Sequence, residues 1–151
     1  MSTTIFDKIV SGEMSSYKVW EDENFLAFLT PFPNTPGVTV VIPKQNPGDY
    51  IFSIDSALYG EFLSAVKTVA NLLEKALGVS RVALVFEGTG VAHVHAKLYP
   101  LHGDIANQTG VGSSETEFVE EYRGWLTTIE GPHMDDAALV EIQEKIKAAQ
   151  V

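Results

Sequence analysis

The chain has no cysteine among its 151 residues. That excludes a disulfide framework, a thiolate metal site and a cysteine nucleophile, and it fits a reducing compartment. Nor does any stretch approach the roughly 18 consecutive apolar residues of a membrane span. The opening "MSTTIFDKIVSGE" has no basic region followed by a long apolar run, so no secretory leader is expected. Positive charge is scarce as well: ten Lys and Arg stand against twenty Asp and Glu, a formal net charge of −10. This balance repels the backbone of DNA or RNA and anionic membrane surfaces, which argues against long nucleic acid and membrane as partners. A small phosphorylated ligand stays open, because a local cluster of donors can hold a few phosphates whatever the global charge. The absences together predict a cytoplasmic protein.

What is present is ordinary globular composition, 45% hydrophobic and 20% charged, in a length that one domain accounts for. Ile5, Phe6, Ile9 and Val10 fall at helical spacing, with Thr3 or Thr4 as a cap and Gly12 as a stop. "YKVWE" and "NFLAFLT" flank the turn-forming "EDEN" and read as a hairpin; "VTVVIP" after the proline-rich "PFPNTPG" reads as a central strand. From Asp55 to Leu77 the apolar residues mark one face of a long helix closed by Gly78. "RVALVFE", the glycine turn "GTG" and "VAHVHAKLYPL" follow as strand, turn and strand, and "MDDAALVEIQEKIKAAQ" reads as a C-terminal helix. "HGDIANQTGVGSSE" reads as a flexible loop, and "ETEFVEEYRGWL" gives mixed signals. The mixed order of elements predicts an α+β domain with one antiparallel or mixed sheet of about five strands.

The strand "VAHVHAKLYP" carries the chemistry. Side chains alternate along a strand, so His93, His95, Lys97 and Tyr99 share one face while Val94, Ala96 and Leu98 share the core face. Three readings compete. The polar face can simply be solvated. Two histidines one residue apart can grip zinc, with His102 or His133 as a third ligand, but the Lys97 ammonium would repel a divalent cation. Neutral imidazole can also attack phosphorus near neutral pH and leave again. Spacing alone selects none of them.

The stretch "HVHAKLYP" resembles the histidine triad motif, His-φ-His-φ-His-φ-φ with φ apolar, of the HIT superfamily of nucleotide hydrolases and transferases. "IFDKIVSGEMSSYKVWEDENFLAFL" is similar to the opening of bacterial HIT proteins, and "TPGVTVVIPKQN" to their "PGH-x-x-VIPK-x-H" segment. The resemblance covers about residues 4–102 of a single domain over 1–151 and leaves 103–151 as a C-terminal loop and helix extension. It implies a HIT-like fold with about five antiparallel strands, one long helix and a short N-terminal helix, paired into a homodimer. It implies no cofactor and no metal. His95 would attack the α-phosphate of a small nucleotide and form a covalent nucleotidyl-histidine, with His93 orienting the site. Gly88, Thr89 and Gly90 match the segment lining the phosphate pocket, and Phe6, Ile9 and Phe28 are candidates to surround the base, or plain core residues.

Four positions depart from the pattern. Lys97 stands at the third histidine, Val38 at the histidine of "PGH", Asn46 at the histidine after "VIPK", and Thr30 where many members carry a ribose-binding aspartate. Lysine can hold phosphate as a point charge but, with an ordinary pKa near 10.4, shuttles protons poorly at neutral pH. Two expectations follow: a hydrolase or transferase with an altered leaving-group preference, or a nucleotide-binding, regulatory protein that has lost turnover. His102, His133, Trp125 and the loop "NQTGVGSSE" carry no assigned role.

Overall fold

The structure is a computed structural model that describes residues 2–107 and 133–150. Among them five strands form one antiparallel sheet: β1 (Tyr17–Glu21), β2 (Phe25–Leu29), β3 (Thr39–Pro43), β4 (Val82–Val85) and β5 (Ala96–Pro100), in the order β1-β2-β3-β5-β4. Three α-helices accompany it: α1 (Ile5–Ser11), α2 (Ser56–Leu77) and α3 (Asp136–Ala148). The class is α+β, as the order of signals in the sequence predicts.

Local chemistry explains the helix limits. Thr4 caps α1 through a reciprocal box in which its hydroxyl accepts from the Asp7 N–H while the Asp7 carboxylate accepts from the Thr4 N–H. Gly12 then ends the helix in the left-handed region. Asp55 caps α2 by accepting from the Ala57 and Leu58 amides, and Gly78 closes it, also left-handed.

β2 and β3 are buried along their whole length, which their nearly all-apolar sequences require of strands covered on both faces. On one face Phe25, Ala27, Leu29, Val41, Val94, Ala96 and Leu98 join the Phe62, Val66, Val69 and Leu73 side of α2 and the Leu139 and Ile146 side of α3. On the other, Leu26, Phe28, Val40 and Ile42 pack with Phe6 and Ile9 of α1. The large cluster thus holds the sheet, and the small one seats a short helix over it.

The two edges of the sheet differ. β1 bulges at Val19, and side chains of α3 and of the residues just after it reach its backbone: Gln143 donates to the Lys18 carbonyl at 3.0 Å and Gln150 to the Val19 carbonyl, while the Tyr17 hydroxyl donates to Asp136 at 2.7 Å. At the opposite edge, no residue of β4 is fully buried, and Leu84 is 43% exposed.

Two details depart from expectation. Gly103–Asn107, read from composition as loop, forms a 3-10 turn, and the loop before α2 contains another at Ile51–Ser53. The histidine strand is shorter than its sequence suggests: regular pairing begins at Ala96, leaving His93 and His95 in the segment that leads into β5. Most of "NQTGVGSSE", all of "ETEFVEEYRGWL" and Trp125 lie outside the described residues.

Candidate active site

Between α1, the β2–β3 connection and the start of β5 lies a cavity of about 480 Å³, well within the range of small-molecule sites, roughly 300–1,000 Å³. Its walls are mainly apolar, from Phe6, Ile9, Phe28, Val38 and Val40 among others. Phe6, Ile9 and Phe28 are at once core residues and part of the cavity wall. Polar groups converge at one side: His95, Lys97, Glu87, Thr89 and Tyr99.

The expected alternation survives although the strand is irregular at its start. Val94, Ala96 and Leu98 enter the α2 core, while His95, Lys97 and Tyr99 face the cavity. The solvated-face reading fails on burial, since His93 is 0% and His95 5% exposed. His93 lies deeper than the alternation predicts and does not line the cavity. Phe6 packs against both imidazoles in T-shaped contacts, at centroid distances of 5.7 Å for His93 and 5.2 Å for His95.

Backbone carbonyls fix both rings, because a carbonyl oxygen can only accept. His93 Nε2 donates to the Pro43 carbonyl at 2.7 Å, and His95 Nδ1 donates to the His93 carbonyl at 2.8 Å. A neutral His95 therefore carries its lone pair on Nε2. Burial pushes the pKa of both imidazoles below 6.5; for His95 the Lys97 charge adds to this, while the His93 carbonyl and Glu87 oppose it. His93 Nδ1 has no hydrogen-bond partner among the described residues and lies 3.6 Å from Asp7 Oδ1. The hydrogen bonds that Thr4 gives Asp7 hold that carboxyl below its ordinary value.

Asn46 belongs to the same scaffold. Its amide donates to the Ala92 carbonyl and its oxygen accepts from the Gly48 N–H, both at 2.9 Å, tying the chain after β3 to the segment that carries the histidines. A structural role at this position is thus visible in its bonds.

Sequence reasoning missed Glu87. Its carboxylate pairs with the Lys97 ammonium at 3.0 Å, both partly buried at the cavity wall. Strand register could have found it: Val85 pairs with Lys97 across β4 and β5, and the residue two beyond Val85 returns to the same face. Lys97 is accordingly one half of an ion pair and not a lone cation.

Of the glycine turn, Thr89 and Gly90 line the cavity and Gly88 does not; Gly88 instead sits against Tyr50. Thr30 lines the cavity, and its hydroxyl accepts from the Phe32 N–H at 3.2 Å. His102 donates to the Pro36 carbonyl and His133 packs edge-on against Phe32, so neither joins the central pair. No group of three or more His, Cys, Asp or Glu side chains suited to a metal occurs among the described residues.

An antiparallel sheet that carries a histidine of fixed tautomer to the wall of a small, mainly apolar cavity defines a class of compact α+β proteins built to bind a small molecule. The chain belongs to the HIT domain family, whose profile matches residues 11–103. It is 34% identical over 107 residues to a HIT-like protein of Borreliella burgdorferi, covering 66% of this chain and 76% of that one. With the protein hit of Bacillus subtilis it shares 33% identity over 104 residues, 66% and 71% of the two chains. A crystal structure of a HIT family protein from Bacillus anthracis is similar with a TM-score of 0.62 at 31% identity, over 76% of this chain and 84% of that one. A HIT-like protein from Bartonella henselae shares the fold at 23% identity, with a TM-score of 0.71 over 97% and 96% of the chains.

Proposed function

We propose that the protein is a nucleotide hydrolase or nucleotidyltransferase of the HIT type, in which His95 attacks the α-phosphate of a small nucleotide. One observation carries this reading. The bond from His95 Nδ1 to the His93 carbonyl leaves the Nε2 lone pair as the nucleophile at a cavity wall, with no need to change tautomer. Attack forms an Nε2–phosphorus bond and expels the leaving group with its electron pair. The resulting cationic ring keeps its Nδ1 proton on the same carbonyl, and water or another acceptor then takes the nucleotidyl group.

The other residues take supporting roles. His93 orients His95 through its carbonyl, Thr89 and Gly90 border the phosphates, and Thr30 offers a single hydroxyl toward the ribose. Phe6, Ile9 and Phe28 form an apolar slot for the base. Lys97, which stands where a third motif histidine would, attracts phosphate only to the extent that Glu87 leaves its charge unmatched. We place this activity in one domain spanning the chain, acting in the cytoplasm as a homodimer with small nucleotides as its partners.

That ion pair favours a second reading, a nucleotide-binding protein with little turnover. A panel containing an adenosine phosphoramidate, a dinucleoside polyphosphate and related nucleotides separates the two. The hydrolase reading expects release of a nucleoside monophosphate that His95→Ala reduces below detection. Saturable binding without turnover of any panel member selects the second reading.

A further inference from the structure

The reaction proposed above needs, in its second half, a group that takes a proton from water, and the cavity offers few. His95 then carries the nucleotidyl group. Lys97, as an ammonium, has no lone pair to accept with, and His93 is wholly buried and does not reach the cavity. Among the described residues that line it, Glu87 has the one carboxylate. A carboxylate oxygen has lone pairs that can accept a proton from water in a transition state.

We propose that Glu87, held by Lys97, is the general base that activates water against the nucleotidyl-His95 intermediate. The inference rests on the nucleophilic reading of His95. In the step, a Glu87 oxygen takes a proton from water as the water oxygen bonds to phosphorus. The bond from phosphorus to His95 Nε2 breaks, and its electron pair returns to the ring as the Nε2 lone pair. His95 is neutral again with its Nδ1 proton in place, and Glu87, about a quarter exposed, returns its proton to solvent.

The geometry suits this role. Lys97 orients the carboxylate at 3.0 Å and offsets the repulsion an isolated carboxylate would exert on the phosphate. Glu87 is also close enough to act on the charge of His95, favouring the cationic ring present in the intermediate. The ion pair thus supplies a cation and a base side by side, where a single imidazole can be only one of the two at a time. It also gives the lysine a purpose that a lone cation lacks.

The test uses the full chain with the p-nitrophenyl esters of AMP and GMP, whose leaving group needs no proton. With Glu87→Gln, which keeps shape and hydrogen bonding, p-nitrophenolate should appear in a burst of about one per protomer. Steady-state release should then fall about 10²- to 10⁴-fold, the usual worth of a general base. Intact-mass measurement should find the nucleotidyl adduct accumulating on E87Q but not on H95A/E87Q. Fluoride ion, a nucleophile with no proton to lose, should restore turnover of E87Q as nucleotidyl fluoride.

Lys97→Met, which keeps the carboxylate, should raise KM without accumulating adduct, separating loss of charge pairing from loss of the base. An E87Q variant that turns over as fast as the wild type and shows no adduct overturns this inference alone. A wild type that releases no p-nitrophenolate and forms no adduct overturns the nucleophilic reading and this inference with it.

Discussion

At the scale of single residues, the two histidines couple stability and chemistry to pH in the same direction. Burial lowers the folded-state pKa of both below 6.5, whereas the unfolded chain binds protons near that value. Above 6.5 both states hold neutral imidazole and the folded state keeps its full stability. As the pH falls below 6.5 the unfolded state takes up protons that the folded state resists, so stability is lost. Asp7 adds a second, lower window, because its depressed carboxyl stabilises the fold above 3.8 and ceases to do so as the pH falls through its folded value. Urea denaturation should therefore show a midpoint that drops as the pH falls from 7 to 5, and drops again below pH 4; a flat profile would contradict the buried neutral rings. For the same reason the acid limb of kcat/KM should lie below pH 6.5, since His95 stays an unprotonated nucleophile there. Little of this was legible in the sequence. The spacing of His93 and His95 is written in the chain, but their tautomers depend on the Pro43 and His93 carbonyls, which only the folded backbone supplies.

At the scale of elements, the connections are as demanding as the strands they join. Gly37, between the proline-rich turn and β3, has φ +87°, and a Cβ there would collide with the Leu77 side chain at the end of α2 and touch Pro100 of β5 at 3.4 Å. Gly37→Ala should thus destabilise the protein by about 1–3 kcal/mol, from left-handed strain and overpacking together. Calorimetry reads this as a lowered Tm, and an unchanged Tm would mean that the Leu77 side chain swings aside and that alanine tolerates the left-handed backbone there. The helices and strands were largely legible, because caps, apolar periodicity and glycine stops act locally at Thr4, Asp55, Gly12 and Gly78. Less so was the late start of β5 at Ala96. An alternating pattern specifies faces without specifying where backbone pairing begins, and the segment before Ala96 is held by Asn46 and by the bond from the Val94 N–H to the Gly48 carbonyl instead. Glu87 went unread for a related reason: its partner is set by the register of β4 on β5, a non-local fact.

At the scale of the whole molecule, the C-terminal segment that sequence comparison leaves outside the resemblance turns back onto the site. The Met134 N–H donates to the Pro31 carbonyl, His133 rests on Phe32, and Tyr17, a cavity residue, is bonded to Asp136 at the start of α3. No helix among the described residues is long and apolar enough to cross a membrane. A homodimer, as proposed above, would find its seam at β4, where Leu84 is exposed on a strand that pairs on one side only among the described residues. Leu84→Arg should shift the protein from dimer to monomer in sedimentation equilibrium; a dimer of undiminished strength would move the seam elsewhere.

Gln143 of α3 and Gln150 just beyond it bear on how such an assembly ends. A sheet with two open edges can recruit one copy after another, as fibres do, each newcomer offering the next a fresh strand. Here Gln143 and Gln150 occupy backbone carbonyls along β1, so among the described residues β4 is the edge left for growth. Two copies joined there would meet edge to edge about a twofold axis, with β1 and its two glutamine-bonded carbonyls on each flank. The carboxamides of Gln143 and Gln150 would thereby act as a terminator, limiting the count to two.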